Sequence, residues 1–108
     1  ANPWDEEIYL YPDSKYLKEI ELRKNQLLIV GHTHYPMNLK SGEGFILNPG
    51  SVGQPRDYNP RASYAVIDSV SKKISHHRVN YDVKKYQEKL RKMNWDKKVI
   101  DILSRTKN

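Results

Sequence analysis

The chain has 108 residues, enough for one small domain, and its 19 basic and 13 acidic side chains give a net charge of +6 at pH 7. Hydrophobic residues make up 37% and charged residues 30%, polar for a globular domain but too rich in Tyr, Ile, Leu and Val for a disordered one. No apolar run approaches the roughly 20 residues that span a bilayer, the acidic start lacks a secretory h-region, and the lack of cysteine excludes disulfides, thiolate metal sites and a cysteine nucleophile. A cytoplasmic protein without membrane contact is the expectation.

In chain order, Asp13 or Ser14 after Pro12 is placed to cap a helix running to about Lys24, with Leu17 and Ile20 on its buried side. Gln26–Val30 is a short run rich in branched residues and reads as a buried strand. Gly31 ends it, and the polar turn His32–Pro36 follows. Met37–Leu39 begins another strand that turns at Ser41–Gly44, and Phe45–Leu47 reads as a third, stopped by Asn48-Pro49-Gly50-Ser51. Residues 53–60 carry loop signals throughout. Ala62–Asp68 and Lys73–Tyr81 read as a hairpin across Ser69–Lys72, although the alternation of Ile74, His76 and Arg78 with Ser75, His77 and Val79 leaves its facing open. From Val83 the period turns helical, with Val83, Tyr86, Leu90 and Met93 on one stripe, and a second helical stretch after Asp96 carries Val99, Ile100 and Leu103. Strands bracketed by helices predict an α/β or α+β domain.

Charge is unevenly spread. Residues 1–71 carry 7 basic and 9 acidic side chains, net −2, and residues 72–108 carry 12 and 4, net +8. A basic tail of this kind is one way to bind nucleic acid. Its lysines fall on expected helix surface without interleaved aromatic platforms, so a solvated face is the simpler reading.

Gly31-His32-Thr33-His34 is the most informative stretch. Two imidazoles two residues apart, on a tight turn leaving a buried strand, can converge on one metal or on two adjacent metals. Gly31 is expected to supply close backbone approach or a positive φ at the site, and the strand end supplies rigidity. His76-His77 is read as structural, because neighbouring side chains on a strand point to opposite faces.

With its flanks this stretch resembles the calcineurin-like metallophosphoesterases, in particular their small bacterial and archaeal phosphodiesterase branch. The matching segments are LLIVGHTHYPM at 27–37, FILNPGSVGQPRD at 45–57 and ASYAVID at 62–68, in the family's order. The resemblance implies part of a four-layer αββα sandwich with mixed β-sheets. It also implies a hydrolase of phosphate esters with two divalent metal ions, Mn first, with Fe, Zn, Ni or Mg as alternatives. In that family the first His of the turn binds one metal and the second binds the other, here His32 and His34. A hydroxide bridging the metals attacks phosphorus while both ions neutralise the phosphoryl oxygens. Asn48 would lie beside the site, and Arg56 and Arg61 on the next loop would reach a substrate phosphate, unless they are merely solvated around a structural turn.

The family's upstream Asp-x-His, Gly-Asp-x-x-Asp and Gly-Asn-His elements do not occur in these 108 residues, and Ala1–Pro12 resembles the aromatic-rich loop that follows a further family His. The expectation is therefore a C-terminal portion of one domain over residues 1–108. Its N-terminal metal-binding half would be absent or supplied by another chain, and the isolated residues would be inactive. The competing reading is a half-domain that serves as a partner-binding or scaffold module, with homo-oligomerisation open. A lone structural zinc on the histidines lacks the usual four-ligand spacing.

Overall fold

The computed structural model describes residues 9–106. Three strands, β1 (Leu27–Ile29), β2 (Met37–Ser41) and β3 (Gly44–Asn48), form a mixed sheet in the order β1-β3-β2. β1 runs parallel to β3 with Leu28 opposite Ile46, and β2 runs antiparallel to β3 with Leu39 opposite the same Ile46. Gly42, at φ +58°, takes the first central position of the two-residue turn from β2 to β3, where a side chain would be strained. A second sheet is the antiparallel hairpin of β4 (Ala62–Ile67) and β5 (Ile74–Val79), followed by α1 (Val83–Lys92), α2 (Lys97–Asp101) and a 3-10 turn over Ile102–Ser104. The result is the expected α+β mixture, but only the first sheet is mixed; the second is an antiparallel hairpin.

Period-two alternation turns Leu28, Ile46, Leu39 and Met37 to one face of the first sheet. There Ile46, Met37, Val30, Leu10 and Ile20 form the buried cluster, with Tyr16, Leu17 and Leu22 packed around it. Burying a side chain such as Ile46 is worth about 1.5–3 kcal/mol. The terminal helices have their own cluster of Leu90, Ile100 and Leu103.

Several expectations change in the structure. The helix expected from Asp13 or Ser14 to Lys24 is a 3-10 turn over Lys15–Glu19, and Ser14 makes no side-chain cap. Beyond Ile20 the backbone is taken by the sheet: the Leu22 amide donates to the Ser41 carbonyl, the Glu43 amide donates to the Leu22 carbonyl, and the Ser41 hydroxyl donates to the Ile20 carbonyl. The expected aromatic loop over Ala1–Pro12 lies mostly outside the described residues.

In α1 the buried positions are Gln87 and Leu90, whereas Tyr86 and Met93 are exposed. Met93 falls just after the helix, and Gln87 turns inward because its amide donates to the Ile100 carbonyl (2.8 Å) and the Ser104 hydroxyl (3.0 Å). The hairpin's open facing is also resolved. Ile74, His76 and Arg78 point inward because His76 and Arg78 find carbonyl and carboxylate partners there. Its tip is closed by Asp68, which accepts from the Val70 and Ser71 amides. Those bonds hold the Asp68 carboxyl below the ordinary carboxylate range.

Candidate metal centre

β1 ends at Ile29, and two residues later the chain makes the His turn. The Thr33 amide donates to the Gly31 carbonyl at 2.9 Å, closing a γ-turn with His32 at its centre. His32 has φ 74° and His34 has φ 62°, both in the left-handed region that a side chain adopts only under strain. Gly31, expected to supply a positive φ or a close approach, does neither: it is not among the positive-φ glycines, and no atom lies within 4 Å of where its Cβ would sit. The unusual backbone belongs to the histidines themselves, and Gly31 contributes the carbonyl that closes the turn.

Between the two histidines the chain is anchored inward. Thr33 is buried, and its hydroxyl accepts from the Asn48 amide nitrogen at 3.1 Å. Asn48, at the end of β3, is 0% exposed. Its side-chain oxygen accepts from the Gly50 amide at 2.9 Å, and its carbonyl accepts from His76 Nε2 at 3.0 Å. Both ends of the Asn48 amide are thus used inside the protein, locking β3 to the His turn. Gly50, at φ +84°, is required here, because a Cβ would lie 2.6 Å from the Ser63 hydroxyl oxygen.

The two rings are held differently. His34 Nδ1 lies 2.9 Å from the Gln54 carbonyl, which can only accept, so Nδ1 carries a proton, and in the neutral ring Nε2 keeps its lone pair. An imidazole that binds metal through Nε2 uses this arrangement. His32 is exposed and packs against Tyr9, with ring centroids 4.5 Å apart and planes tilted by 42°. Arg56 is half-buried beside His34: its amide donates to the His34 carbonyl at 3.4 Å and its guanidinium to the Gln54 side-chain oxygen at 3.2 Å. Arg61 is exposed, and its guanidinium donates to the Asn59 side-chain oxygen. No contact joins Arg61 to the His turn among the described residues.

The loop from Ser51 to Arg61 is clamped by partners that sequence reading passed over. Arg78, from β5, pairs with the Asp57 carboxylate and donates to the Asn59 and Arg61 carbonyls. Arg105, after the last helix, donates to the Arg56 carbonyl at 3.3 Å and lies over the Tyr58 ring at 4.7 Å. Buried polar side chains such as Thr33 and Ser63 carry no local sequence signal. The proximity of Arg78 and Arg105 to the loop depends on contacts 21 and 49 residues apart.

As a donor set, His32 and His34 fit part of a divalent-metal site. The described residues hold no group of three or more His, Cys, Asp or Glu able to enclose an ion. No helix among them is long and apolar enough to cross a membrane.

Comparison with known proteins agrees with this geometry. The calcineurin-like phosphoesterase superfamily domain matches residues 10–72. An uncharacterized protein of Methanocaldococcus jannaschii is 41% identical over 107 residues, covering 83% of this chain and 43% of its own. Phosphodiesterase YfcE of Escherichia coli is 48% identical over 48 residues, 44% of this chain and 26% of its own. Among solved structures, a metallophosphoesterase of Sphaerobacter thermophilus superposes with TM-score 0.68 at 32% identity, over 73% of this chain and 41% of that one. A hypothetical protein of Pyrococcus horikoshii superposes with TM-score 0.70 at 25% identity, over 92% and 41% respectively. The chain spans less than half the length of each of these relatives. With its mixed three-stranded sheet and its His turn in the matched region, the chain belongs to the calcineurin-like phosphoesterase superfamily.

Proposed function

We propose that this chain contributes His32 and His34 to the dinuclear centre of a metal-dependent phosphodiesterase, one histidine to each ion, with Mn as the metal. The observation that carries this reading is the pairing of a strained His turn with an Nδ1-committed His34. The left-handed backbone at His32 and His34, on either side of buried Thr33, costs of order 1–3 kcal/mol at each residue. Strain of this kind recurs at functional sites. The remaining ligands would come from residues outside these 108, on the same or a second polypeptide.

When bound, two divalent ions supply charge neutralisation on the ester and activation of water. This chain's own residues do the positioning. The Gln54 carbonyl orients His34, Asn48 and Thr33 fix the turn between the histidines, and Arg56 offers a guanidinium next to the site for a phosphate ester. Arg61 and Asn48 are the weaker substrate candidates, the first because it is remote in contacts and the second because its amide is already spent. A cytoplasmic setting and a solvated rather than nucleic-acid-binding basic tail complete the proposal.

The exposed Ile29 and Phe45, on the sheet face opposite the main cluster, favour a second reading. In it the chain is a partner-binding half-domain, either as a homo-oligomer or with an acidic partner. Metal analysis by native mass spectrometry, with hydrolysis of a chromogenic phosphodiester, separates the two. The enzyme reading expects about two metals in an assembly that hydrolyses the ester, metal loss in H32A and H34A, and negligible hydrolysis by the 108 residues alone. Unchanged metal content in both variants overturns it in favour of the module.

A further inference from the structure

We infer that Arg105 is a positioning residue for His34, acting through the loop around Gln54; this rests on the reading of His34 as a metal ligand. A neutral imidazole carries its one proton on either nitrogen, and only the tautomer protonated at Nδ1 leaves Nε2 free to bind a metal. The Gln54 carbonyl selects that tautomer at 2.9 Å. A carbonyl can do so only while its loop holds one direction.

The contacts that hold this loop run outward to Arg105. Gln54 is tied to Arg56 through its side chain, and Arg56 is tied to the His34 carbonyl through its amide. On either side of Asp57, Arg105 holds the Arg56 carbonyl at 3.3 Å and covers the Tyr58 ring at 4.7 Å. Tyr58 itself sits at φ 61°, a conformation the chain does not keep without restraint. One guanidinium thus lies over a ring and donates to a carbonyl at the same time, a pair of roles that suits its planar fork better than a compact ammonium group. Arg105 lies beyond the residues 10–72 that the family model matches.

The test uses imidazole nitrogen–proton correlation spectra of the metal-free protein and Mn(II) titration of the same samples. In R105A and in R105K, the His34 signal is expected to leave the Nδ1-protonated pattern for a mixture, and Mn(II) affinity to fall roughly ten- to hundredfold. Ser104→Ala serves as the structural control. It removes the Gln87–Ser104 bond in the same segment without touching the loop, and should leave both readouts in place. Should R105A fail to fold, R105K is read alone. A His34 pattern unchanged in the Arg105 variants, or moved as far by S104A, overturns the inference. If H34A keeps full Mn(II) affinity, the metal-ligand reading fails, while the tautomer spectra still score the role of Arg105.

Discussion

Replacing Asn48 by alanine separates a structural from a substrate-binding role for this residue. Asn48 is 0% exposed, its side-chain nitrogen donates to Thr33 at 3.1 Å, and its side-chain oxygen accepts from the Gly50 amide at 2.9 Å. Truncation removes both bonds, so the buried Thr33 hydroxyl keeps only the long contact from the Tyr35 amide and the half-buried Gly50 amide loses its side-chain acceptor, each at a cost of about 1–3 kcal/mol. A loss of roughly 3 kcal/mol is expected, and at about 4 °C per kcal/mol the Tm falls by some 12 °C. Thermal unfolding followed by circular dichroism reads this directly. A cycle with Thr33→Val should show a coupling of about 1 kcal/mol, because the two side chains share one bond. At temperatures where N48A stays folded, KM for a phosphodiester should match the wild type. An unchanged Tm with a raised KM would refute the reasoning and place the Asn48 amide on the substrate.

Other perturbations test other parts of the structure. His32→Gly should raise stability by about 1 kcal/mol, since glycine adopts φ 74° without strain, while lowering metal content; calorimetry and metal analysis check the pair of effects. Asp57→Asn should cost about 2 kcal/mol in denaturant unfolding, less than a fully buried pair, because Arg78 and Asp57 side chains are 15% and 24% exposed. Asp68, with its carboxyl pKa lowered by the Ser71 and Val70 amides, stabilises the hairpin tip above the ordinary pKa near 3.8 and loses that effect as pH falls through its lower folded value. Amide exchange at residues 70 and 71 should therefore quicken only well into acid, and D68A should abolish the pH dependence. Burial, with a smaller contribution from Tyr86, raises the Tyr81 phenol above its ordinary pKa near 10, so its stabilising effect is present below that value and lost as pH rises through the raised one. Ultraviolet titration should show one tyrosine ionising late, and Y81F should remove it.

Local chemistry made the strands, the hairpin and both terminal helices readable. Leu27–Ile29 and Phe45–Leu47 are short branched runs between turn residues, and Asp82 and Asp96 cap α1 and α2 as their types predict. The 13–24 segment misled because its helical spacing competes with backbone pairing between Leu22 and the β2–β3 turn, which no local pattern reveals. The His turn was legible as His-x-His, but its mechanics were not. Glycine is the usual carrier of positive φ, so strain was sought at Gly31 and lies at His32 and His34. Arg56 was legible from its place on the loop that follows the Asn48-Pro49-Gly50-Ser51 turn. Gln54, Arg78 and Arg105 did not, because their roles arise from a backbone carbonyl and from arginines distant in sequence.

The helix pair has its own small core, Leu90, Ile100 and Leu103, separate from the cluster beneath the three-stranded sheet. Small separate cores open by local unfolding at lower free energy than the main body. Arg105 stands at the end of that pair, so each such opening would release the Tyr58 ring and the Arg56 carbonyl while the sheet remains intact. On the reading of Arg105 as a positioning residue, the helices would act as a thermal fuse: on warming, the imidazole geometry would be lost before the fold is, and on cooling it would return without any refolding of the strands.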